Sequence, residues 1–335
     1  MEIKSAAAIG GGVIGGAWAA RFVLNGIDCR IFDPHPETER IVGEVMANAE
    51  RALSKLTSAP RPAPGSLTFA TSIEEAVEGV DIVQESVPER LELKQKVHMQ
   101  IDAAAPAEAL IGSSTSGLLP SDIQCKMVNP GRMFVAHPYN PVYLLPLVEL
   151  CGGGQTTSEA LDRAHKAYQQ IGMKPVRIRK EIDAFVGDRL LEAVWREALW
   201  LIRDDICTVE ELDDIMTHSF GLRWGQMGLF QTYRIAGGEA GMRHFIEQFG
   251  PTMGLPWTKL MDVPDLDEAL IDKIADQSDE QAAGLGIRDL ERIRDDNLIG
   301  FLHILRDARG GKGWAAGRAV QAYEAQLKAK AANDG

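Results

Sequence analysis

Short apolar runs alternate with longer stretches of helical period through the first half of the chain. The short runs predict strands at residues 6–9, 28–33, 67–70, 81–85, 110–113 and 132–137. The longer stretches, which include residues 14–25 and 37–55, predict helices that connect these strands. Because strands separated by helices pair in the same direction, the pattern predicts an α/β fold with a doubly wound, mostly parallel sheet.

The pattern changes after residue 178, where a long helical period covers residues 185–204 and mostly helical segments follow. We therefore place a domain boundary between residues 179 and 184. The prediction is an α/β domain over residues 1–182 and an all-α domain over residues 183–320. The Ala- and Lys-rich tail over residues 321–335 is predicted to fray.

A glycine-rich turn joins the first predicted strand to the first predicted helix and fits the motif G-x-G-x-x-G. Its glycines permit a tight turn, let the backbone approach a pyrophosphate, and allow the helix to pack close to the strand. The amides at the start of the helix then bind the pyrophosphate. The predicted cofactor-binding residues of this turn are Gly10, Gly12, Val13, Ile14 and Gly15.

Asp33 ends the second predicted strand. In a dinucleotide-binding domain, an acidic side chain at this place accepts hydrogen bonds from the adenosine ribose. A carboxylate there also repels a 2′-phosphate. The sequence therefore predicts a Rossmann-type domain that binds NAD in preference to NADP.

His137 ends another predicted strand, and Glu149 lies in an apolar run that begins after only a short loop. Two strands joined by so short a loop can lie side by side, which would bring the imidazole and the carboxylate into contact. A carboxylate that accepts from one ring nitrogen fixes the tautomer and raises the basicity of the other nitrogen. The pair therefore predicts a general base that takes a proton from an alcohol while a hydride leaves the same carbon.

These motifs, with the serine-rich segment at residues 113–116 and the sequence HPYNP at residues 137–141, resemble the 3-hydroxyacyl-CoA dehydrogenase family. The resemblance extends over nearly the whole chain. It implies that His137 is the catalytic base, Glu149 its partner and Ser116 a donor to the reacting oxygen. It implies that Asn140 positions substrate and nicotinamide, and that the helical second domain forms a homodimer.

The same resemblance places Glu89 and Lys94 near the nicotinamide ribose. Two positions depart from the family, because Ser114 and Asp188 stand where its members have asparagine. The segment between Asp33 and residue 81 is also shorter than in the coenzyme A enzymes and lacks their Lys-rich helix. A substrate that carries several phosphates therefore has fewer predicted partners.

Within the family, residues 112–120, 137–149 and 188–199 are similar to enzymes that oxidise L-carnitine, a small zwitterion with a trimethylammonium group. A quaternary ammonium is bound by aromatic faces and by negative charge, which Asp188 could supply. Ser114, Ser116 and Arg223 are candidates for the substrate carboxylate. The aromatic candidates for the ammonium are Tyr139, Tyr143, Phe185, Trp195, Trp224 and Phe230.

Composition excludes several other classes of function. A net charge of −13 disfavours nucleic acid, because phosphate binding needs concentrated Lys and Arg. The apolar runs are too short for a membrane span. The four cysteines are scattered, which indicates neither a disulfide framework nor a metal site. Since the first residues lead directly into the glycine turn, we expect no export signal and a cytoplasmic location.

Three alternatives stay open at this point. An L-gulonate 3-dehydrogenase related to lambda-crystallin shares the serine-rich segment and the H-P-x-N-P motif, but should prefer neutral groups to Asp188. A short-chain 3-hydroxyacyl-CoA dehydrogenase is the second alternative. The third is a crystallin-like structural protein that binds NAD without turnover, against which the retention of His137 and Glu149 speaks.

Overall fold

The computed structural model describes residues 2–236 and 287–334, and between them residues 245–247, 258, 267–270, 272–273, 277 and 284–285. The chain divides into two compact units: Met1–Asp188 together with Asp295–Gly335, and Arg189–Arg294. The first unit contains the described sheet. The second unit is mainly helical over the residues that are described.

One sheet of the described chain has the strand order β3-β2-β1-β4-β5-β6-β7-β8. Strands β1 to β6 run parallel to one another, whereas β7 is antiparallel to β6 and parallel to β8. The predicted fold class, a Rossmann-type, doubly wound and mostly parallel sheet, is confirmed. The strands are β1 (Ser5–Ile9), β2 (Asp28–Phe32), β3 (Leu67–Phe69), β4 (Ile82–Glu85), β5 (Leu110–Ser113), β6 (Met133–Pro138), β7 (Leu147–Gly152) and β8 (Lys174–Ile178).

Helices cover the sheet and make up most of the described part of the second unit. In the first unit they are α1 (Val13–Val23), α2 (Thr38–Leu56), α3 (Ile73–Val77), α4 (Leu91–Ala104), α5 (Pro120–Gln124) and α6 (Ser158–Gln170). The later helices are α7 (Gly187–Arg203), α8 (Val209–His218), α9 (Phe220–Ala236), α10 (Ile287–Gly311) and α11 (Gly317–Asp334). No helix in the described ranges is both long and apolar enough to cross a bilayer.

The alternation of side chains along β1 explains the two hydrophobic cores of the first unit. Ala6 and Ala8 lie in one core with Trp18 of α1, whereas Ala7 and Ile9 lie in the other. Successive residues of a strand point to opposite faces, so an entirely apolar strand is buried on both sides. The sheet is therefore covered on both faces, as the near-continuous apolar runs of the sequence predict.

The C-terminal segment differs from the frayed tail that the sequence suggested. Helix α11 occupies it, and Val320, Tyr323 and Leu327 are buried in the larger core. These residues form a stripe at helical spacing that packs on the α/β part of the first unit. Three apolar residues among many alanines and lysines are a weak signal, which explains why the pattern did not reveal the contact.

Candidate active site

The glycine turn between β1 and α1 has the geometry of a pyrophosphate site. Gly10 has a φ of +103°, which favours glycine. A Cβ atom at Gly15 would lie 1.8 Å from the Gly10 carbonyl oxygen, so a side chain there would break the turn. At Gly12 a Cβ atom would meet nothing within 4 Å, so the outer side of the turn is open. The amides of Val13 and Ile14, which begin α1, lack intrahelical partners.

Asp33 directly follows β2 beside this turn. Its carboxylate accepts hydrogen bonds from the backbone N–H groups of Gly11, at 2.6 Å, and His35, at 2.8 Å. A cavity of about 760 Å³ adjoins it, and its walls include Gly10, Asp33, Val87 and Arg90. An open glycine turn, free helix amides and a carboxylate at the second strand end together fit an NAD molecule.

His137 and Glu149 face each other directly across the antiparallel pair β6 and β7. Nδ1 of His137 lies 3.0 Å from Oε2 of Glu149, and each residue is only 3% exposed. Since a carboxylate only accepts hydrogen bonds, we assign the ring proton to Nδ1, which leaves Nε2 as the basic nitrogen. The contact predicted from the short connecting loop is present.

Glu149 receives three further donors. The hydroxyl of Tyr139 donates to Oε2 at 2.8 Å, and the backbone N–H groups of Val186 and Gly187 both donate to Oε1 at 3.2 Å. Burial raises the pKa of Glu149, but the hydrogen bonds from His137 and Tyr139 outweigh it and lower that pKa below its ordinary value. Glu149 therefore stays a carboxylate while it accepts from the imidazole.

A strained turn before α7 helps to build this site. Ala184 and Phe185 have φ angles of 60° and 48°, a left-handed conformation that is unfavourable for residues with a Cβ atom. The turn directs the next two backbone amides toward Glu149. It also buries Phe185 completely, with its ring centroid 5.7 Å from that of His137. Phe185 therefore supports the imidazole, whereas the sequence had suggested it for the substrate ammonium.

Asp188 brings a second carboxylate to His137. Its Oδ2 lies 3.5 Å from Nε2, and the side chain is 25% exposed. The imidazole thus has Glu149 at one nitrogen and Asp188 at the other. Because Asp188 is the more exposed of the two carboxylates, it is the one that a cation from solvent can approach.

Glu89 holds the loop that carries Ser116. Its carboxylate accepts from the Thr115 hydroxyl and, at 3.1 Å each, from the backbone N–H groups of Ser116 and Gly117. Ser116 itself is exposed. Glu89 therefore anchors this loop, and its predicted place near the nicotinamide ribose stays a prediction.

Lys94 is buried and belongs to an ionic cluster that the sequence did not suggest. Its Nζ lies 2.8 Å from Glu85 Oε1 and 3.4 Å from Glu89 Oε2. The other oxygen of Glu85 lies 3.0 Å from His98 Nε2 and accepts from Ser113 at 2.5 Å. Burial opposes the charged form of Glu85, but the His98 hydrogen bond and the Lys94 charge outweigh it and lower the pKa to about 2. Lys94 thus ties Glu89 to the end of β4.

Ser114 lies in a second polar cluster behind the glycine turn. Its hydroxyl accepts from Trp18 Nε1 at 3.1 Å and from Gln84 Nε2 at 2.7 Å, and it bonds the Ser86 hydroxyl at 2.9 Å. These three partners occupy the hydroxyl. A role of Ser114 toward the substrate carboxylate, which the sequence suggested, would require these bonds to rearrange.

The remaining predicted residues lie in different surroundings. Tyr143 is buried in the larger core, and its hydroxyl donates to Asp295 at 2.7 Å, so it is a core residue in this structure. Asn140 is exposed, two residues after the end of β6. Trp224 and Phe230 lie on α9 of the second unit, where the Trp224 ring packs on Phe220 with centroids 4.7 Å apart. Arg223 and Trp195 are exposed in the same unit.

Fold and site together define a Rossmann-type NAD-binding protein whose histidine–carboxylate pair suits dehydrogenase chemistry. Residues 5–182 match the NAD binding domain of 3-hydroxyacyl-CoA dehydrogenase, and residues 185–273 match its C-terminal domain. The chain therefore belongs to the 3-hydroxyacyl-CoA dehydrogenase family, and its cofactor is NAD.

Several named proteins are similar to this chain in sequence, and a solved structure shares its fold. An L-carnitine dehydrogenase/betainyl-CoA thioesterase of Rhizobium meliloti is 69% identical over 97% of this chain, which spans 66% of that protein. An L-carnitine dehydrogenase of Mesorhizobium japonicum is 62% identical over 98% of this chain and 91% of its own length. A solved NAD⁺-dependent 5-formyl-3-hydroxy-2-methylpyridine 4-carboxylic acid 5-dehydrogenase shares the fold, with a TM-score of 0.76 and 24% identity over 92% of this chain and 99% of that one.

Proposed function

We propose that this chain is an NAD-dependent oxidoreductase that oxidises the 3-hydroxyl of L-carnitine to the ketone of 3-dehydrocarnitine. The relatives named L-carnitine dehydrogenase support this substrate. The observation that carries the proposal is the Asp188 carboxylate, 3.5 Å from the basic nitrogen of His137. In L-carnitine one methylene separates the ammonium nitrogen from the carbon that carries the hydroxyl. A carboxylate beside the general base is therefore within range of that ammonium.

His137 is the general base of the proposed reaction. Its Nε2 takes the hydroxyl proton, and Glu149 stabilises the resulting imidazolium through the Nδ1–H bond. Ser116 donates to the reacting oxygen and Asn140 orients the substrate. When bound, NAD⁺ supplies the acceptor for the hydride of carbon 3. In the reverse direction, protonated His137 returns the proton.

Asp188 couples substrate charge to this proton transfer. Its carboxylate favours the protonated imidazole, which is the inactive form for oxidation. An ammonium bound at Asp188 offsets that charge and so favours the neutral base. L-gulonate carries no ammonium that could offset this charge, which is why we prefer the substrate that carries one.

We also infer a homodimer that forms through the second unit, and a cytoplasmic location. The helices of this unit expose large apolar side chains, which are costly in water unless a partner covers them. A second copy is the partner that the family resemblance implies. Four free cysteines suit a reducing compartment. The exposed side chains include Leu190, Leu191, Val194, Trp195, Leu222 and Phe230.

One comparison of substrates tests the proposed function. NADH absorbance is followed with L-carnitine, D-carnitine, L-gulonate and 3-hydroxybutyryl-CoA at equal enzyme and NAD⁺. We expect kcat/KM for L-carnitine to exceed the other values by at least about 100-fold, since the site discriminates through charge and hydrogen bonds. A preference for L-gulonate or the thioester would replace the proposed substrate, and no NADH from any of them would support a binding protein without turnover.

A further inference from the structure

The two side-chain donors on Glu149 Oε2 lie two residues apart along the chain. His137 lies on β6, and Tyr139 comes directly after Pro138, the last residue of that strand. Their rings are packed together, with centroids 4.9 Å apart. The hydroxyl of Tyr139, at 2.8 Å, is closer to Oε2 than Nδ1 of His137, at 3.0 Å. The carboxylate oxygen that supports the base is therefore shared with a phenol.

Gly187 leaves the space that this phenol occupies. A Cβ atom at Gly187 would lie 1.5 Å from the Tyr139 hydroxyl oxygen and 2.5 Å from the ring carbon that bears it. Any side chain at this position would therefore push the phenol away from Glu149. The backbone N–H of Gly187 also donates to the other carboxylate oxygen. Tyr139 and Gly187 thus form a matched pair around one carboxylate.

We propose that Tyr139 is a positioning residue, which shares the Glu149 carboxylate with His137 and so limits how strongly that carboxylate favours the protonated imidazole. Gly187 is the residue that makes this sharing possible. This role rests on the proposed function only in that His137 is taken as the base. The hydrogen bond itself is independent of which alcohol is oxidised.

The Tyr139 hydroxyl stays protonated, as a permanent hydrogen-bond donor must. Burial, the Glu149 hydrogen bond and the negative charges of Glu149 and Asp188 raise the pKa of Tyr139 far above its ordinary value. The phenol therefore keeps its proton throughout the working pH range and takes no part in proton transfer. Among the described residues, Asp188 at the start of α7 contacts His137, and the thiol of Cys151 on β7 lies in the field of Glu149 and Glu181. Burial raises the pKa of that thiol to about 11, so neither Tyr139 nor Cys151 ionises near neutral pH.

The variant Tyr139→Phe removes one hydroxyl and keeps the ring. Without this donor, more of the negative charge of Glu149 acts on His137. A larger share of the imidazole is therefore protonated at a given pH. Oxidation needs the neutral base. We expect kcat/KM on the acidic limb of the pH profile to fall by about three- to tenfold, the net worth of one typical hydrogen bond, while the alkaline plateau stays within about twofold. The control Tyr323→Phe removes a buried hydroxyl in α11 and should leave the profile unchanged.

A second measurement needs no turnover. In the full chain with NAD⁺ and no substrate, the His137 ring resonances followed by NMR should titrate at higher pH in Tyr139→Phe than in the parent protein. Gly187→Ala, which displaces the phenol, should shift them in the same direction. An unchanged or lower titration in both variants would overturn the role of Tyr139. A shifted titration in a chain that fails to oxidise L-carnitine would instead reject the proposed function and keep this inference.

Discussion

At the scale of single residues, the second carboxylate beside His137 is the feature that distinguishes this site. Asp188 lies 3.5 Å from Nε2, on the side opposite Glu149. In water a carboxylate and a quaternary ammonium attract each other weakly, but a partly buried site with low screening strengthens that attraction. In the proposed function, Asp188 therefore favours a substrate that carries an ammonium.

The variant Asp188→Asn tests this residue. The amide keeps the shape and removes the charge, so KM for L-carnitine should rise by about 5- to 30-fold, as expected for the loss of one partly screened ion contact. The variant also changes the field at His137, which affects every substrate alike. The fold-change in KM for L-carnitine, divided by the fold-change in KM for 3-hydroxybutyrate, isolates the ammonium contact. A ratio near one would reject charge pairing at Asp188.

Some residues of the site follow from local sequence, and others do not. The contact of His137 with Glu149 was predictable because a short loop between two strands restricts how they pair. Tyr143 was placed near the substrate for its position in the same loop, yet its hydroxyl donates to Asp295, which lies in a helix near the other end of the chain. No local pattern reveals such a partner.

At the scale of elements, the junction of β4 and α4 carries a buried ion pair. Glu85 ends β4, and Lys94 and His98 lie one helical turn apart on α4, so both reach the same carboxylate. The i, i+4 spacing of a lysine and a histidine after a strand that ends in glutamate was the signal available in the sequence. The family resemblance instead implies that Lys94 contacts the cofactor.

Glu85→Gln should destabilise the chain strongly. It leaves the buried Lys94 ammonium with only the more distant and more exposed Glu89 carboxylate, and losing the buried partner costs up to about 3–5 kcal/mol of unfolding free energy. Lys94→Met in the same chain removes the stranded charge and should restore part of the loss. Denaturant unfolding at pH 7 measures both, and equal stabilities of the single and double variants would contradict the ion-pair account. Glu37→Gln, which breaks an exposed pair with Arg40, is the control and should change little.

The pH dependence of this stabilisation has a defined sign. The pKa of Glu85 is lowered in the folded state, so its contribution is present above the ordinary carboxyl pKa of 4.5 and is lost as pH falls toward 2. The Glu85→Gln/Lys94→Met double variant lacks that contribution. Its stability should therefore depend less on pH than that of the parent protein over this range.

At the scale of the whole molecule, the order of the strands assembles the site. The glycine turn, Asp33, Glu85 and His137 all follow or end parallel strands, so they lie along one edge of the sheet. The order changes direction between β1 and β4, and a crevice for a ligand forms at such a point. Both the alternation of elements and the motif at each strand end predicted this arrangement.

The return of the C-terminal helices to the first unit was not predictable. Leu302, Val320 and Tyr323 pack in the same core as Trp18, although residues 189–294 separate them from the α/β part of the chain. An amphipathic pattern shows that a helix has an apolar face and does not show which surface covers it. The domain boundaries predicted from the sequence therefore place part of these helices in the second domain, residues 183–320, and the rest in the tail, residues 321–335.

The proposed oxidation requires His137 as the group that accepts the substrate proton. Its most direct test is the turnover of His137→Gln with L-carnitine and NAD⁺, with NADH binding measured on the same preparation. We predict a loss in kcat of about 10²- to 10⁴-fold, the usual contribution of a general base, with NADH affinity retained. Turnover within about tenfold of the parent protein would contradict the account, because a general base is worth more than that.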